Sequence, residues 1–517
     1  MRGRRRGLGP RLALLGLLGA LLAPGASSPG QEAARSFLRV DLDVGGRITE
    51  VAATDLDGDG RRDLLVVRGR EALIFRQRGD GTWPTSPLQR FRFHPRTVLF
   101  DVGDLDGDGR AEIALLMADG VYAYALRERK GRWLYGLRPR RLATCSTFCD
   151  RPIREEVRRK RFLRDVDGDG DLDLLVPQRD GFAILAADGR GGFAAPARLP
   201  APPSAVLNLG RDRLSSQLFA SYWFPDPQVQ QFDAVGAPEL VLAREGQVLV
   251  FGAEGPGALP RTPRGRYVIP EQRQFSLQVE KPLELDFTTP LRIRDLDRDG
   301  RADVCTTHVG KGTTRIYFNR PPVAEAFSRP AASVRAKGVT FLSYTCDMDG
   351  DGLEDLVLPR MDRISAWSVI KVFLTRTVPI EMMVFYQRPG RRFPAEPDDT
   401  RELEIPISVD TGGERVKLGS TVVATVDGDY DGDGVKDLLY RSDEDRLSVY
   451  RGVPRAGVAE EASLEVPVRD VEDYRFAMPT VVDLDGDGRD DVVLRYWSWD
   501  RSRDALTLLL SRWSPGR

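Results

Sequence analysis

One nine-residue pattern, D-x-D-x-D-G-x-x-[DE], occurs seven times along this 517-residue chain and limits its fold more than any other feature. It begins at Asp55 (DLDGDGRRD), Asp104 (DLDGDGRAE), Asp165 (DVDGDGDLD), Asp295 (DLDRDGRAD), Asp347 (DMDGDGLED), Asp429 (DYDGDGVKD) and Asp483 (DLDGDGRDD). Successive starts lie 49, 61, 130, 52, 82 and 54 residues apart. Repetition at such a period marks an array of units, none of which can bury its apolar face alone. The step of 130 residues is two periods long, and near its middle Asp233-Ala-Val-Gly-Ala-Pro-Glu239 reads as the same motif with two residues deleted and most carboxylates lost. The chain therefore reads as eight units of roughly 60 residues.

The residue types point to calcium. Aspartates at the first, third and fifth positions turn their oxygens to one centre when the chain curls around an ion, and glycine at the sixth permits the tight turn. The seventh residue can add a backbone carbonyl, and the acid at the ninth closes the shell. The candidate ligands are Asp55, Asp57, Asp59, Arg61 and Asp63 in the first loop, then Asp104, Asp106, Asp108, Arg110 and Glu112, then Asp165, Asp167, Asp169, Asp171 and Asp173. After the degenerate unit come Asp295, Asp297, Asp299, Arg301 and Asp303, followed by Asp347, Asp349, Asp351, Leu353 and Asp355. The last two loops offer Asp429, Asp431, Asp433, Val435 and Asp437, and Asp483, Asp485, Asp487, Arg489 and Asp491. Calcium takes six to eight hard oxygens at ~2.3–2.6 Å, which this set and water supply, while magnesium demands a stricter octahedron and keeps its waters. About seven Ca2+ sites are expected, one for each of the seven intact motifs. An EF-hand is excluded, because its twelfth position needs a bidentate glutamate. Here that position holds Val66, Leu115, Val176, Thr306, Leu358, Tyr440 and Leu494.

Apolar runs follow the loops directly (LLVV from Leu64, IALL from Ile113, VVL from Val492), and strand-like segments such as ITEVAAT precede them. Each loop thus joins two β-strands. Glu71–Gln77 and Gln89–Phe93 read as third and fourth strands of the first unit, and the degenerate unit repeats the order. Four antiparallel strands per unit, arrayed about an axis, make a β-propeller, an all-β fold of about eight four-stranded blades, with seven as the alternative. The last unit has room for only three strands, and Ser36–Val44 is spare ahead of the first. That segment should join the final blade, so that the two termini close it together and remove two sheet edges.

On these loops and spacings, which cover nearly the whole chain after its first residues, the protein resembles the FG-GAP and VCBS repeats of integrin α-subunit propellers and of secreted bacterial proteins. Phe-Gly and Gly-Ala-Pro signatures are mostly missing, so the closer likeness is to exported VCBS-type proteins, and integrin-style ligand recognition is not implied. Neither asparagine, Asn208 or Asn319, begins a glycosylation sequon, which fits bacterial export.

Residues 1–28 have the layout of a secretory signal peptide, with Arg2, Arg4, Arg5, Arg6 and Arg11 ahead of an apolar run from Leu12 to Ala23. Residues 29–517 then form the propeller, placed in the periplasm, at the cell surface or outside the cell. No later stretch is long and apolar enough to span a bilayer. A net charge of −1 gives no reason to expect nucleic acid as a partner. Export favours disulfides, here 145–149 and 305–346, although four cysteines permit three connectivities. In the 82-residue step, Ile364, Trp367, Ile370 and Leu374 predict a short helix inserted in blade 6. It should pack on the propeller face, with the strand from Ile380 and a long loop over 391–401 after it. The clusters Tyr222-Trp223-Phe224 and Tyr496-Trp497-Ser498-Trp499 should pack between blades rather than stack on sugars, and the basic run Arg154–Arg164 reads as a solvated face or a counter-charge to the acids. With two histidines, His94 and His308, a Ser-His-Asp or Cys-His arrangement has almost no raw material. The sequence therefore implies a non-catalytic binding or scaffold module for a protein or glycan. The alternative is a polysaccharide lyase or hydrolase that uses acids outside the loops.

Overall fold

The computed structural model describes residues 36–513, apart from 210–217, 245, 253–257, 271–288, 341–342, 363–365, 411–416, 421–423 and 471–472. The predicted signal segment, residues 1–28, lies outside the described residues. Among those described, eight antiparallel sheets repeat one meander. Blade 1 runs through Glu50–Thr54, Asp63–Arg68, Glu71–Phe75 and Gln89–Arg92, paired in that order. Blades 2 to 7 open with Leu99–Gly103, Leu163–Arg164, Pro227–Gln230, Arg292–Arg294, Tyr344–Cys346 and Ala424–Gly428. Blade 8 takes Tyr474–Val482, Asp491–Ser498 and Ala505–Ser511 from the end of the chain. Its fourth strand is Phe37–Leu42, antiparallel to Ala505–Ser511 with Phe37 opposite Ser511. The protein is thus an eight-bladed propeller whose termini share a blade, as the spare N-terminal strand implied.

The second strand of each blade explains how the ring holds. In Asp63–Arg68 the residues alternate between two faces, and both faces are buried. Leu64 and Val66 join a core cluster with Leu484, Val493 and Leu508 of blade 8, while Leu65 and Val67 join one with Ile113 and Leu115 of blade 2. A strand sandwiched this way must be continuously apolar, which is why LLVV follows the acidic loop. The same sharing links blades 2 and 3, 3 and 4, 4 and 5, 5 and 6, 6 and 7, and 7 and 8. Eight inter-blade cores therefore follow one another and close on themselves.

Insertions decorate this frame. Blade 2 carries an extra hairpin, Leu126–Arg129 with Arg132–Tyr135, and gains Arg158–Arg159 as a parallel strand on its first strand. A hairpin of Ser204–Leu209 and Leu218–Trp223 stands between blades 3 and 4. In blade 6 the expected helix forms over Ala366–Thr375, between Asp355–Arg360 and Thr377–Phe385. From its middle to its end, Ile370, Phe373 and Leu374 are exposed. The loop predicted over 391–401 ends earlier, because Asp399–Asp410 is a long fourth strand paired with Thr377–Phe385. Among the described residues no helix is long and apolar enough to cross a membrane.

The expected disulfides are not formed; all four cysteines are free. Cys305 lies in the blade 5 core and Cys346 in the core between blades 6 and 7, so the two are packed into different clusters. Burial pushes the Cys305 thiol up to about 11 and raises Cys346 further, which keeps both protonated. The aromatic expectation holds for one cluster only. Tyr496 is buried, but Tyr222 and Trp223 are exposed, with Phe148 edge-on to Tyr222 at 4.8 Å.

Candidate metal loops

Each acidic loop joins the first and second strands of its blade, and its backbone is organised by its own carboxylates. In the first loop, Asp55 Oδ1 accepts from the Gly58 N–H (2.8 Å) and its Oδ2 from the Gly60 N–H (2.8 Å). Asp59 Oδ1 accepts from the Arg61 N–H (3.0 Å). The other six intact loops repeat the bond from the sixth-position N–H to the first aspartate, at Gly109, Gly170, Gly300, Gly352, Gly434 and Gly488.

The ninth-position acid is a clamp as well as a candidate ligand. Asp63 is buried and accepts from Leu56 N–H in its own loop (3.3 Å) and from Gln77 N–H beyond the third strand (2.9 Å). Asp173, Asp303, Asp355, Asp437 and Asp491 do the same with Val166 and Ala187, Leu296 and Asn319, Met348 and Gln387, Tyr430 and Gly452, and Leu484 and Ser511. In the second loop Glu112 accepts from Leu105 N–H at 3.0 Å. Burial foremost, and then the neighbouring aspartates, push these acids up against the pull of their backbone donors. Asp63, Glu112, Asp355, Asp437 and Asp491 reach about 7, Asp173 about 6 and Asp303 about 8.

The carboxylates converge. Asp55, Asp57 and Asp63 each place an oxygen within 4.8 Å of the others, as do Asp104, Asp106 and Asp108, and Asp165, Asp167 and Asp173. Asp295, Asp297 and Asp299 form another such group, Asp347, Asp349 and Asp351 a fifth, and two further groups occur among the described residues. The third-position acids carry the plainest mark of a missing partner. Oδ1 of Asp57, Asp106, Asp297 and Asp485 is buried and accepts no hydrogen bond. A buried carboxylate oxygen without a partner is costly, and a hard cation removes that cost. The donor set thus fits a calcium ion in chemistry and in convergence.

Left-handed backbone occurs at the fourth position as well as the sixth, and glycine at the fourth position of six of the seven motifs is its sequence signal: Gly58 has φ +78° and Gly60 φ +83°, and even Arg298 takes +56°. Other elements of the site carried no sequence signal. The loops also touch one another. Ala111 N–H donates to Leu56 O (3.1 Å), Arg62 N–H to Leu484 O (3.0 Å), Glu354 N–H to Leu296 O (2.9 Å) and Asp490 N–H to Asp429 O (2.8 Å). Each of these bonds runs from the eighth position of one loop to the first or second position of the loop in the preceding blade. Arginines from outside the motif reach the third-position acids, among them Arg512 on Asp485 (2.8 Å), Arg451 on Asp431 (2.8 Å) and Arg455 on Asp349 (3.1 Å).

The degenerate unit in blade 4 is full length, not shortened by two residues. Glu239 accepts from Phe232 N–H, seven positions back as in every intact loop, and Ala234 and Gly236 take the left-handed conformations of the fourth and sixth positions. Aligned by structure, Gln231 and Val235 replace the first and fifth aspartates, and Asp233 is the third. The Arg264 guanidinium lies 3.4 Å from Asp233 and 3.5 Å from Glu239, so a fixed cation faces the two acids that remain.

Residues 55–115 and 429–494 match the family described as FG-GAP-like repeat. A comparison with curated proteins found no match. Among solved structures, the chain is similar to an Agrocybe aegerita lectin described for specific recognition of non-reducing terminal N-acetylglucosamine (16% identity, TM-score 0.40, covering 69% of this chain and 80% of that one). It is also similar to the dihydro-heme d1 dehydrogenase NirN (13%, 0.41, 95% and 81%). A third likeness is to the Photorhabdus luminescens Tc holotoxin pore (13%, 0.34, 88% of this chain and only 17% of that one). At these values none of the three bears on the ligand or activity of this chain.

Proposed function

Since the chain is an FG-GAP repeat protein, we propose that it is a calcium-loaded propeller that acts by binding, with the ions structural and a protein or glycan partner engaged on a propeller face. The observation that carries this reading is the set of buried third-position carboxylate oxygens with no hydrogen-bond partner. In this reading the ions hold the loops in the conformation that joins each blade to the next, and the protein works outside the cytoplasm, where calcium is plentiful. The exposed pair Tyr222 and Trp223 is the part of the surface best suited to stack on a sugar ring.

Elemental analysis and calorimetric titration test the proposal. Binding should saturate near seven ions per chain, with blade 4 taking none. Ligation to the folded state alone adds about 1.4 kcal/mol per site at tenfold excess over Kd. Seven independent sites would then supply on the order of 10 kcal/mol, comparable to the whole stability of a typical domain. A chelator should therefore lower the melting temperature sharply, and calcium should restore it better than magnesium. An unchanged melting curve in chelator, with no metal bound, would overturn the reading.

A further inference from the structure

Away from the acidic loops, charge of the opposite sign gathers at the seam between blades 1 and 2. A cavity of about 500 Å³ opens there, inside the ~300–1,000 Å³ span of small-molecule sites. Arg70 enters it from the turn after the second strand of blade 1, Arg92 from the end of that blade's fourth strand, and Arg154 from the segment ahead of Arg158–Arg159. Strands alternate in direction within a blade, so the turn that carries Arg70 lies at the end opposite the acidic loop. The cavity and the candidate metal loops are on different faces.

The charge in this cavity is not neutralised from within. Arg70 donates to the carbonyls of Ile153 (2.7 Å), His94 (2.9 Å), Thr97 (3.0 Å), Pro95 (3.2 Å) and Glu156 (3.3 Å). It ties two segments together, yet its charge meets only neutral oxygens. Burial, and after it the charge of Arg92, lower the Arg70 pKa, as expected where two cations share a site. No carboxylate lines the cavity. Glu71, opposite Arg92 across the ladder, is taken by Arg68, and Glu156 by Arg47 and Arg158. Glu155, next to Arg154, is exposed and lies outside the lining. The remaining wall combines His94 and Tyr124 with the apolar Phe93, Pro95, Leu137, Pro152 and Ile153, and two of the apolar members stand out into solvent, Leu137 at 64% and Ile153 at 50% exposure.

Guanidinium groups recognise carboxylates through paired hydrogen bonds, and exposed aliphatic side chains beside them favour an apolar body on the same molecule. We propose that this cavity binds an organic carboxylate with an apolar body, its carboxylate held by Arg92 and Arg154 and its body lying along Leu137 and Ile153. The site is independent of the calcium reading and goes beyond it.

Calorimetric titration of the full calcium-loaded chain with 4-phenylbutyrate tests this. One saturable site is expected, and 4-phenylbutanamide, which has the same body without the charge, should bind about tenfold or more weakly. The double variant Arg92→Gln/Arg154→Gln, altered only at exposed positions, should lose a similar factor for the acid while melting like the wild type. Leu137→Asp, also at an exposed position, sets a negative charge against the apolar body of the bound acid and should abolish binding. Absence of saturable binding, an amide as good as the acid, or either variant binding the acid unchanged would overturn the proposal.

Discussion

At different positions of its acidic loops the protein asks different things of chemically identical carboxylates. Asp491 is buried with both oxygens holding backbone N–H groups, from Leu484 at 2.9 Å and Ser511 at 2.7 Å. Asp106 instead has a buried oxygen that holds nothing. Asp491→Asn would set an NH2 group against a backbone donor, at a cost of about 1–3 kcal/mol, so it should lower the melting temperature both in calcium and in chelator. Asp106→Asn should be destabilising in calcium alone and neutral or better in chelator, because it removes repulsion there. Paired thermal melts of the two variants separate a clamp from a ligand. The same acids set a pH dependence. Their folded pKa values, about 6 to 8, lie above the ordinary carboxyl value near 4, so between those values the folded state binds more protons than the unfolded one. Stability of the metal-free protein must then fall as pH rises from about 4 through about 8, by up to about 1.4 kcal/mol per pH unit for each such group. In saturating calcium the slope should reverse, since protons compete with the ion. Melting temperatures across pH 5 to 8 with and without chelator would show two opposite trends; parallel trends would exclude a cation at these acids.

At the scale of the loop, the seam between blades matters as much as the turn itself. Gly60 has φ +83° and open space around its Cα, whereas Gly58 has φ +78° and a Cβ built there would lie 2.6 Å from the Gly109 carbonyl of the next loop. Gly60→Ala should cost about 1 kcal/mol for backbone strain alone. Gly58→Ala meets backbone as well and should cost about 2–3 kcal/mol, measurable as a larger drop in denaturation midpoint. Taking Asp233 as the first aspartate made blade 4 look shortened, yet the Glu239 clamp on Phe232 N–H puts Asp233 at the third position and fixes the loop's true length. In blade 4 the acids at positions one and five are gone, while the third, Asp233, remains against Arg264 and the ninth, which serves the backbone, persists.

The whole molecule depends on a closure made by nine residues' worth of chain. Leu42 and Val44 are buried in the core that joins blades 8 and 1, and Thr507 donates to Asp41 at 2.6 Å across the ladder between Phe37–Leu42 and Ala505–Ser511. Without the N-terminal strand, Ala505–Ser511 would become an apolar sheet edge, ready to pair with another chain. A protein lacking residues 36–44 should melt at a lower temperature and form soluble aggregates by size-exclusion chromatography with light scattering. A monomer of unchanged stability would show that the ring does not need its closing strand.

The sequence by itself determined the repeat, the propeller, the shared terminal blade and the candidate ligands, because each follows from spacing and alternation along the chain, whereas the choice of eight blades over seven fell to the tertiary structure. Only the tertiary structure decided what depends on residues distant in sequence. The arginines on the third-position acids, the hydrogen bonds from loop to loop and the Arg264 contact to Asp233 and Glu239 join segments that no local pattern relates. The cysteines show the same limit: their pairing was a matter of count and compartment in the sequence, whereas in space Cys305 packs in the blade 5 core and Cys346 between blades 6 and 7. The basic cavity is the clearest case. Arg70, Arg92 and Arg154 come from a turn, a strand end and an inserted segment, and only the packing of blade 1 against blade 2 sets them around one space.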